Sequence, residues 1–262
     1  MPSVLLTRRR AALALTAPLL TAAAPAGADL RDVVARVKPS VVIVGTFNPT
    51  ASPRFALKGT GFVVGDGNLV VTNAHVLSGD ADAKPGEPGT RQVVQVWRGP
   101  RDWSMRGATV VASDRARDLA LLRIDGAAVP ALPLAEPAGI REGQSIAFIG
   151  FPIGGLLGYS HVTHRGIISS ITSVALPTPQ AGQLSERAVR RLSEGNFEVY
   201  QLDAVAYPGN SGGPVFDADT GEVVGVINMV MIKGTRESAL STPTGLTYSI
   251  PVRFVRELLE RR

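Results

Sequence analysis

Short runs of apolar and β-branched residues recur along almost the whole chain, each closed by Gly, Pro, Asp or Asn. They fall at Ser40–Gly45, Gly61–Gly65, Asn68–Thr72, Gln92–Val96, Ala108–Ala112, Leu119–Ile124, Ser145–Ile149, Gly166–Ile171, Glu198–Leu202, Pro214–Asp217, Glu222–Met229 and Leu246–Ile250. Valine, isoleucine and threonine fit a pleated, half-buried surface better than a helix. The dipeptide Asp66-Gly67 between the second and third runs is a hairpin signal, since glycine enters positive φ without strain. Many short strands separated by turns describe a barrel or a sandwich and exclude a doubly wound parallel sheet. The fold class read from this pattern is all-β.

What lies between the runs organises the chain. Residues 1–28 read as an export signal: Arg8, Arg9 and Arg10 precede an apolar run from Ala11 to Leu20, and small residues end at Ala28. The run is too short to span a bilayer and holds Pro18, so it predicts cleavage after Ala28 rather than stable membrane insertion. The adjacent arginines are compatible with twin-arginine as well as Sec export, and the expected location is periplasmic or secreted. A retained membrane tether is the alternative. Leu30 to Val37 is a short amphipathic segment, and Pro133 to Gln144 is the best boundary between two halves, 29–136 and 137–262. Ser78–Thr90 reads as an exposed loop. Ala175–Asn196 is a long insertion with a helix expected around Ser185–Leu192, and loops of that length are often functional. The closing segment Pro251–Glu260 places Val252, Val255, Leu258 and Leu259 on one helical face.

Composition removes several classes of function. The 262 residues contain no cysteine, which excludes a disulfide framework or a thiolate metal site. Three of the +5 net charges lie in the leader, leaving +2 on the mature chain, and no dense basic run with interleaved aromatics follows. Nucleic acid is therefore not an expected partner.

Chemistry concentrates in Tyr207-Pro208-Gly209-Asn210-Ser211-Gly212-Gly213-Pro214. Glycines on both sides of Ser211 permit a tight turn that can aim the amides of Gly209 and Ser211 at one point. A serine hydroxyl needs a base and an oxyanion site to act as a nucleophile. By itself the octapeptide is more readily read as a surface turn. The candidate bases are His75, His161 and His164. His75 stands where the strand Val70–Thr72 stops, a position suited to a barrel rim. His161 and His164, three residues apart, have no third strong ligand nearby, so no metal site is expected and a half-exposed strand is the simpler reading. A carboxylate should hold the histidine's tautomer, and Asp118 at the head of a buried-looking strand suits that role. Asp114 reads as a solvated turn residue, and Asp125 as another turn.

Taken together, Thr72-Asn-Ala-His75-Val, Asp118-Leu-Ala-Leu and Gly209-Asn-Ser-Gly-Gly-Pro214 resemble the three signatures of trypsin-like serine proteases, in the order His, Asp, Ser. The closest branch is the HtrA/Deg family, which Gly59-Thr-Gly-Phe, Gly150-Phe-Pro-Ile-Gly154, Arg165-Gly-Ile-Ile-Ser169, Leu202-Asp-Ala204 and Ile250-Pro251 also resemble. The resemblance implies two perpendicular six-stranded barrels with the site in the cleft between them. It implies His75 as general base, Asp118 as its orienting partner and Ser211 as nucleophile. Gly209, Asn210 and Ser211 would form the oxyanion loop, with the amides of Gly209 and Ser211 as donors. No cofactor is implied.

The resemblance also sets expectations about regulation and specificity. Zymogens activated by cleavage carry Asp before the nucleophile; the neutral Asn210 cannot bind a new N-terminal amine, so activation by loop ordering is expected. Val205 and Ala206 would line the specificity pocket, whose floor has no carboxylate, and Asn228-Met229-Val230-Met231 would pair with substrate. Methionine makes an adaptable apolar wall, so cleavage after small or medium aliphatic residues of unfolded or peptide substrates is expected. The chain ends soon after its last strand, leaving no room for the PDZ domains common in the family, and oligomeric state stays open. A chaperone-like peptide-binding protein with a latent site is the alternative.

Overall fold

The computed structural model describes residues 29–77, 89–152, 158–174, 197–228 and 246–262. The leader, most of the Ser78–Thr90 loop, the 175–196 insertion with its expected helix, and Met229, Val230 and Met231 lie outside the described residues.

Twelve antiparallel strands form two closed six-stranded barrels. The first joins β1 (Val41–Phe47), β2 (Phe55–Val64), β3 (Leu69–Thr72), β6 (Leu119–Ile124), β5 (Asp102–Asp114) and β4 (Arg91–Gly99) in that order, with β4 returning to β1. The second joins β10 (Pro214–Asp217), β11 (Val223–Asn228), β12 (Leu246–Pro251), β9 (Phe197–Asp203), β8 (Val162–Val174) and β7 (Ser145–Gly150), with β7 returning to β10. Each expected run overlaps one of these strands.

Closure depends on one long strand per barrel. β5 pairs with β4 through Asp102–Gly107 and with β6 through Ala108–Asp114, and its register shifts between Val110 and Ala112. β8 divides its length in the same way between β7 and β9, with a shift between Ile168 and Ser170. A bulge bends a strand and increases its twist, which lets one strand turn a barrel corner. The sequence pattern marked only the apolar centres of these 13-residue strands. Their polar remainders are held by ladder hydrogen bonds rather than by burial. The hairpin at Asp66-Gly67 is also longer than a two-residue turn. Its last pair is Val64 with Leu69, so Gly65–Asn68 form the loop, and the Asp66 carboxylate accepts from the Asn68 amide at 3.0 Å.

Side chains that alternate into each barrel make the core, with Phe62, Leu119 and Leu121 in the first and Phe148, Ile149 and Phe216 in the second fully buried. Three α-helices accompany the barrels among the described residues. α1 (Leu30–Val37) is capped by Asp29, which accepts from the Arg31 amide, and it buries Val33 and Val37. α2 is the single turn Ala74–Leu77. α3 (Val252–Glu260) buries Val252, Phe254, Val255 and Leu258, while Leu259 is only partly covered. Arg256 of α3 donates to the carbonyls of Leu134 and Ala135 and to Glu136, fixing the connection between the barrels.

Asp114 departs from the solvated-turn expectation. Its side chain is only 10 % exposed and pairs with Arg117 at 2.8 Å and with Arg261, the C-cap of α3, at 3.3 Å. Burial pushes its carboxyl up, but the bonds from Arg117 outweigh that and hold it below the usual carboxylate range. The turn thus anchors the closing helix to the first barrel. No helix among the described residues is long and apolar enough to cross a membrane.

Candidate active site

β3 ends at Thr72, and α2 then turns the chain so that His75 stands at the rim of the first barrel. Asp118 faces it from the residue before β6. Its backbone adopts φ 55°, uncommon for a residue with a side chain but tolerated by aspartate. Local bonds hold that conformation: the Asp118 carbonyl accepts from the Ala74 amide at 3.2 Å and from Asn73 Nδ2 at 3.0 Å. The carboxylate is thereby aimed at His75. Oδ1 accepts from the His75 amide at 2.8 Å, and Oδ2 lies 2.6 Å from His75 Nδ1. A carboxylate only accepts, so Nδ1 carries the proton and Nε2 presents a lone pair.

Asn228 was expected to face substrate. The structure instead buries it at the end of β11, where it pairs with Tyr248 in the ladder and donates from Nδ2 to Asp118 Oδ2 at 2.8 Å. The second barrel thus contributes a donor to the acid of the first. Its position next to the nucleophile-bearing elements was legible in the sequence; its direction was not.

Ser211 lies in the Tyr207–Gly213 turn and is 6 % exposed. Gly212, at φ 85°, sits so close to β2 and β3 that a Cβ there would collide with the Thr60 carbonyl and the Thr72 hydroxyl. Only glycine permits that approach. The serine turn is therefore pressed against the strand end that leads to His75. Gly209 is at φ 102°, and among the described residues the amides of Gly209 and Ser211 donate to no protein group. The Asn210 amide is different, since it donates to the Tyr207 carbonyl at 3.0 Å. Of the three residues expected to form the oxyanion loop, Gly209 and Ser211 retain open donors. Asn210 closes the turn and buries its side chain, with Nδ2 3.5 Å from His164 Nε2.

The expected pocket residues precede this turn. The Ala206 amide donates to Thr247 Oγ1 at 3.1 Å, and the same hydroxyl donates to the Ala204 carbonyl at 2.6 Å. Val205, between them, is half-buried, and no carboxylate occupies positions 204–206. Thr247 was not foreseen, as nothing in the pattern of β12 separates it from its neighbours.

The other two histidines are packed into aromatic surroundings. His161 stacks on Trp103 with ring centres 5.2 Å apart and its Nε2 lies 3.1 Å from the Val41 carbonyl. Burial is the main force that drives its pKa down, to about 4, despite the opposing bond to Val41; Lys38 adds to the depression. His164 stacks on Phe148 at 4.6 Å, and burial lowers its pKa as well. Among the described residues no group of three or more His, Cys, Asp or Glu is arranged to hold a metal.

Two closed six-stranded antiparallel barrels, with a paired histidine and aspartate from one and a serine turn from the other at their junction, define the chymotrypsin-like class. The profile of the trypsin-like peptidase domain matches residues 59–226, and the chain belongs to that family, on its HtrA-type branch. It is 29 % identical over 269 residues to mitochondrial serine protease HTRA2 of Drosophila willistoni, covering 98 % of this chain and 52 % of that protein. Against the same-named protein of Bos taurus it is 31 % identical over 236 residues, covering 88 % of this chain and 43 % of the relative. Among solved structures, the HtrA-type protease AlgW with a bound tripeptide superposes with a TM-score of 0.60 at 25 % identity, covering 88 % of this chain and 62 % of that one. The chain thus spans about half the length of the named relatives.

Proposed function

We propose that the protein is an exported serine endopeptidase that cleaves unfolded or extended polypeptides with His75, Asp118 and Ser211. The observation that carries the reading is the Asp118 carboxylate, held by the His75 amide, His75 Nδ1 and Asn228 beside a serine turn with two open amides. In this reading Ser211 Oγ attacks the scissile carbonyl as His75 Nε2 accepts its proton. The Gly209 and Ser211 amides stabilise the resulting oxyanion, and His75 returns the proton to the leaving amine. Water then hydrolyses the acyl-enzyme by the same route. Asp118 keeps Nδ1 protonated and stabilises the imidazolium.

A pocket floor without a carboxylate supports cleavage after small or medium aliphatic residues rather than after Lys or Arg. AlgW, solved with a tripeptide, supports a peptide-binding cleft here, and substrate that adds a strand to it is the mode that a barrel edge favours. Export rests on the leader alone.

The test is cleavage of casein by the chain beginning at Asp29, beside its Ser211→Ala variant. Activity confined to the former is the expected result. Equal cleavage by both would end the triad assignment. Suppression of aggregation by both, with no cleavage by either, would favour the binding-protein alternative.

A further inference from the structure

Thr60 is buried in β2, in the barrel opposite the serine turn, yet among the described residues it makes two hydrogen bonds to that turn, as many as Ile227 of the turn's own barrel. Its hydroxyl donates to the Gly209 carbonyl at 2.6 Å and accepts from the Phe151 amide at 3.2 Å. Its amide donates to the Ser211 carbonyl at 2.9 Å, and its carbonyl accepts from the Thr72 hydroxyl at 2.7 Å. We infer that Thr60 is a positioning residue for the oxyanion site, acting across the barrel junction through the peptide planes around Ser211. This rests on the serine-protease reading above.

What matters is which peptide planes can turn. The Ser211 amide belongs to the plane joining residues 210 and 211. The neighbouring planes, 209–210 and 211–212, both end their carbonyls on Thr60. The 209–210 plane is intrinsically the loosest, because Gly209 has no Cβ to restrict it. It is held at one edge by the Asn210 amide on Tyr207 and at the other by the Thr60 hydroxyl. The next plane is tied on its carbonyl side, by the Gly213 amide at 2.9 Å. A β-branched side chain has few rotamers, and a hydroxyl already accepting from Phe151 has its proton directed at Gly209. Without that proton, the half-buried Gly209 carbonyl loses its donor and the plane between the two donor amides is released on one side.

An open donor pair aimed within a few tenths of an ångström is worth about 100- to 1000-fold in turnover per donor. Partial misalignment should therefore cost about 10- to 100-fold in kcat. The experiment compares wild type, Thr60→Val, Thr60→Ser and Ser211→Ala on an aliphatic peptide substrate, below their measured unfolding transitions. It also measures affinity for a peptide boronic acid, which forms a tetrahedral adduct on serine, and for the corresponding product peptide. Thr60→Val keeps shape and amide but loses the hydroxyl. It should lower kcat 10- to 100-fold with KM within about twofold, and weaken the boronate by a similar factor while leaving product binding alone. Thr60→Ser, which keeps the hydroxyl, should recover kcat to within about threefold.

Unchanged kcat in folded Thr60→Val, or equal losses in folded Thr60→Ser, would overturn the inference while leaving the protease reading intact. If Thr60→Val does not fold, Thr60→Ala is read in its place with the same expectations. A wild type as inactive as Ser211→Ala would instead end the protease reading, and the positioning role with it.

Discussion

Asn228 shows how much of this site is set by the direction of one side chain. A strand end beside the cleft can point its residue toward substrate or toward the catalytic groups, and here the amide turns inward to Asp118 Oδ2 at 2.8 Å. Hydrogen bonds to charged groups are worth about 1.5–3 kcal/mol. This one fixes the carboxylate's orientation where the barrels meet. Asn228→Leu preserves volume but removes the donor. We expect kcat to fall about tenfold with little change in KM, measured on a peptide substrate. A rise in KM alone would return Asn228 to the substrate-facing role that the sequence suggested. His75, Asp118 and Ser211 could be singled out in the sequence because each sits in a short motif with its own turn chemistry. Asn228, Thr60 and Thr247 were not, because their roles depend on partners at 110, 149 and 43 positions' separation. A linear pattern does not reveal such pairings.

At the level of elements, apolar runs located every strand, and ladder bonds decided where each strand ended. β5 shows the limit. Only its Ala108–Ala112 segment is readable as a strand, whereas Asp102–Gly107 pairs with β4 without an apolar run to mark it. The helices were more legible. Leu30–Val37 and the closing helix each present a 3.6-residue period that a barrel surface can cover. Phe254 escaped the heptad-like stripe read for α3, and the structure places it 4.4 Å under the Arg117 guanidinium. The closing helix therefore meets the first barrel through both an apolar seam and the Asp114–Arg117–Glu257–Arg261 charges. The seam is the stronger of the two, since partly exposed ion pairs contribute little. Leu258→Ala should cost about 2–4 kcal/mol of stability in urea unfolding, by lost burial and the cavity left. Catalysis well below the transition should stay near wild type. A stability change under about 0.5 kcal/mol would show that α3 is not a structural clasp.

For the whole molecule, the buried histidines set how stability responds to acid. His161 has its pKa pushed down to about 4 in the folded protein, against about 6.5 when unfolded. Between those values the unfolded chain binds the extra proton, so stability falls as pH drops from about 6.5 toward 4 and is unaffected above that window. A shift of that size corresponds to roughly 3 kcal/mol in full, at 1.36 kcal/mol per pH unit. His164 adds a contribution of the same sign. Asp114 and Asp217, held below the usual carboxylate range, act in a separate window. Their stabilisation is present above about 3.9 and is lost as pH falls through their folded values. The two sources can therefore be separated by pH. His161→Gln retains a donor for the Val41 carbonyl and cannot titrate. Urea unfolding at pH 8, 7, 5.5 and 4.5 should show a clearly shallower loss below pH 7 for His161→Gln than for wild type, and no pH-dependent difference between them from pH 8 to 7. Parallel curves throughout would mean that His161 titrates in the folded protein as it does in the unfolded chain, and that the rings of Trp97, Trp103 and Phe151 packed around it do not exclude water from it. Because that cluster joins the first barrel to the segment leading into β8, the same measurement reports whether the two barrels are held together by a dry junction.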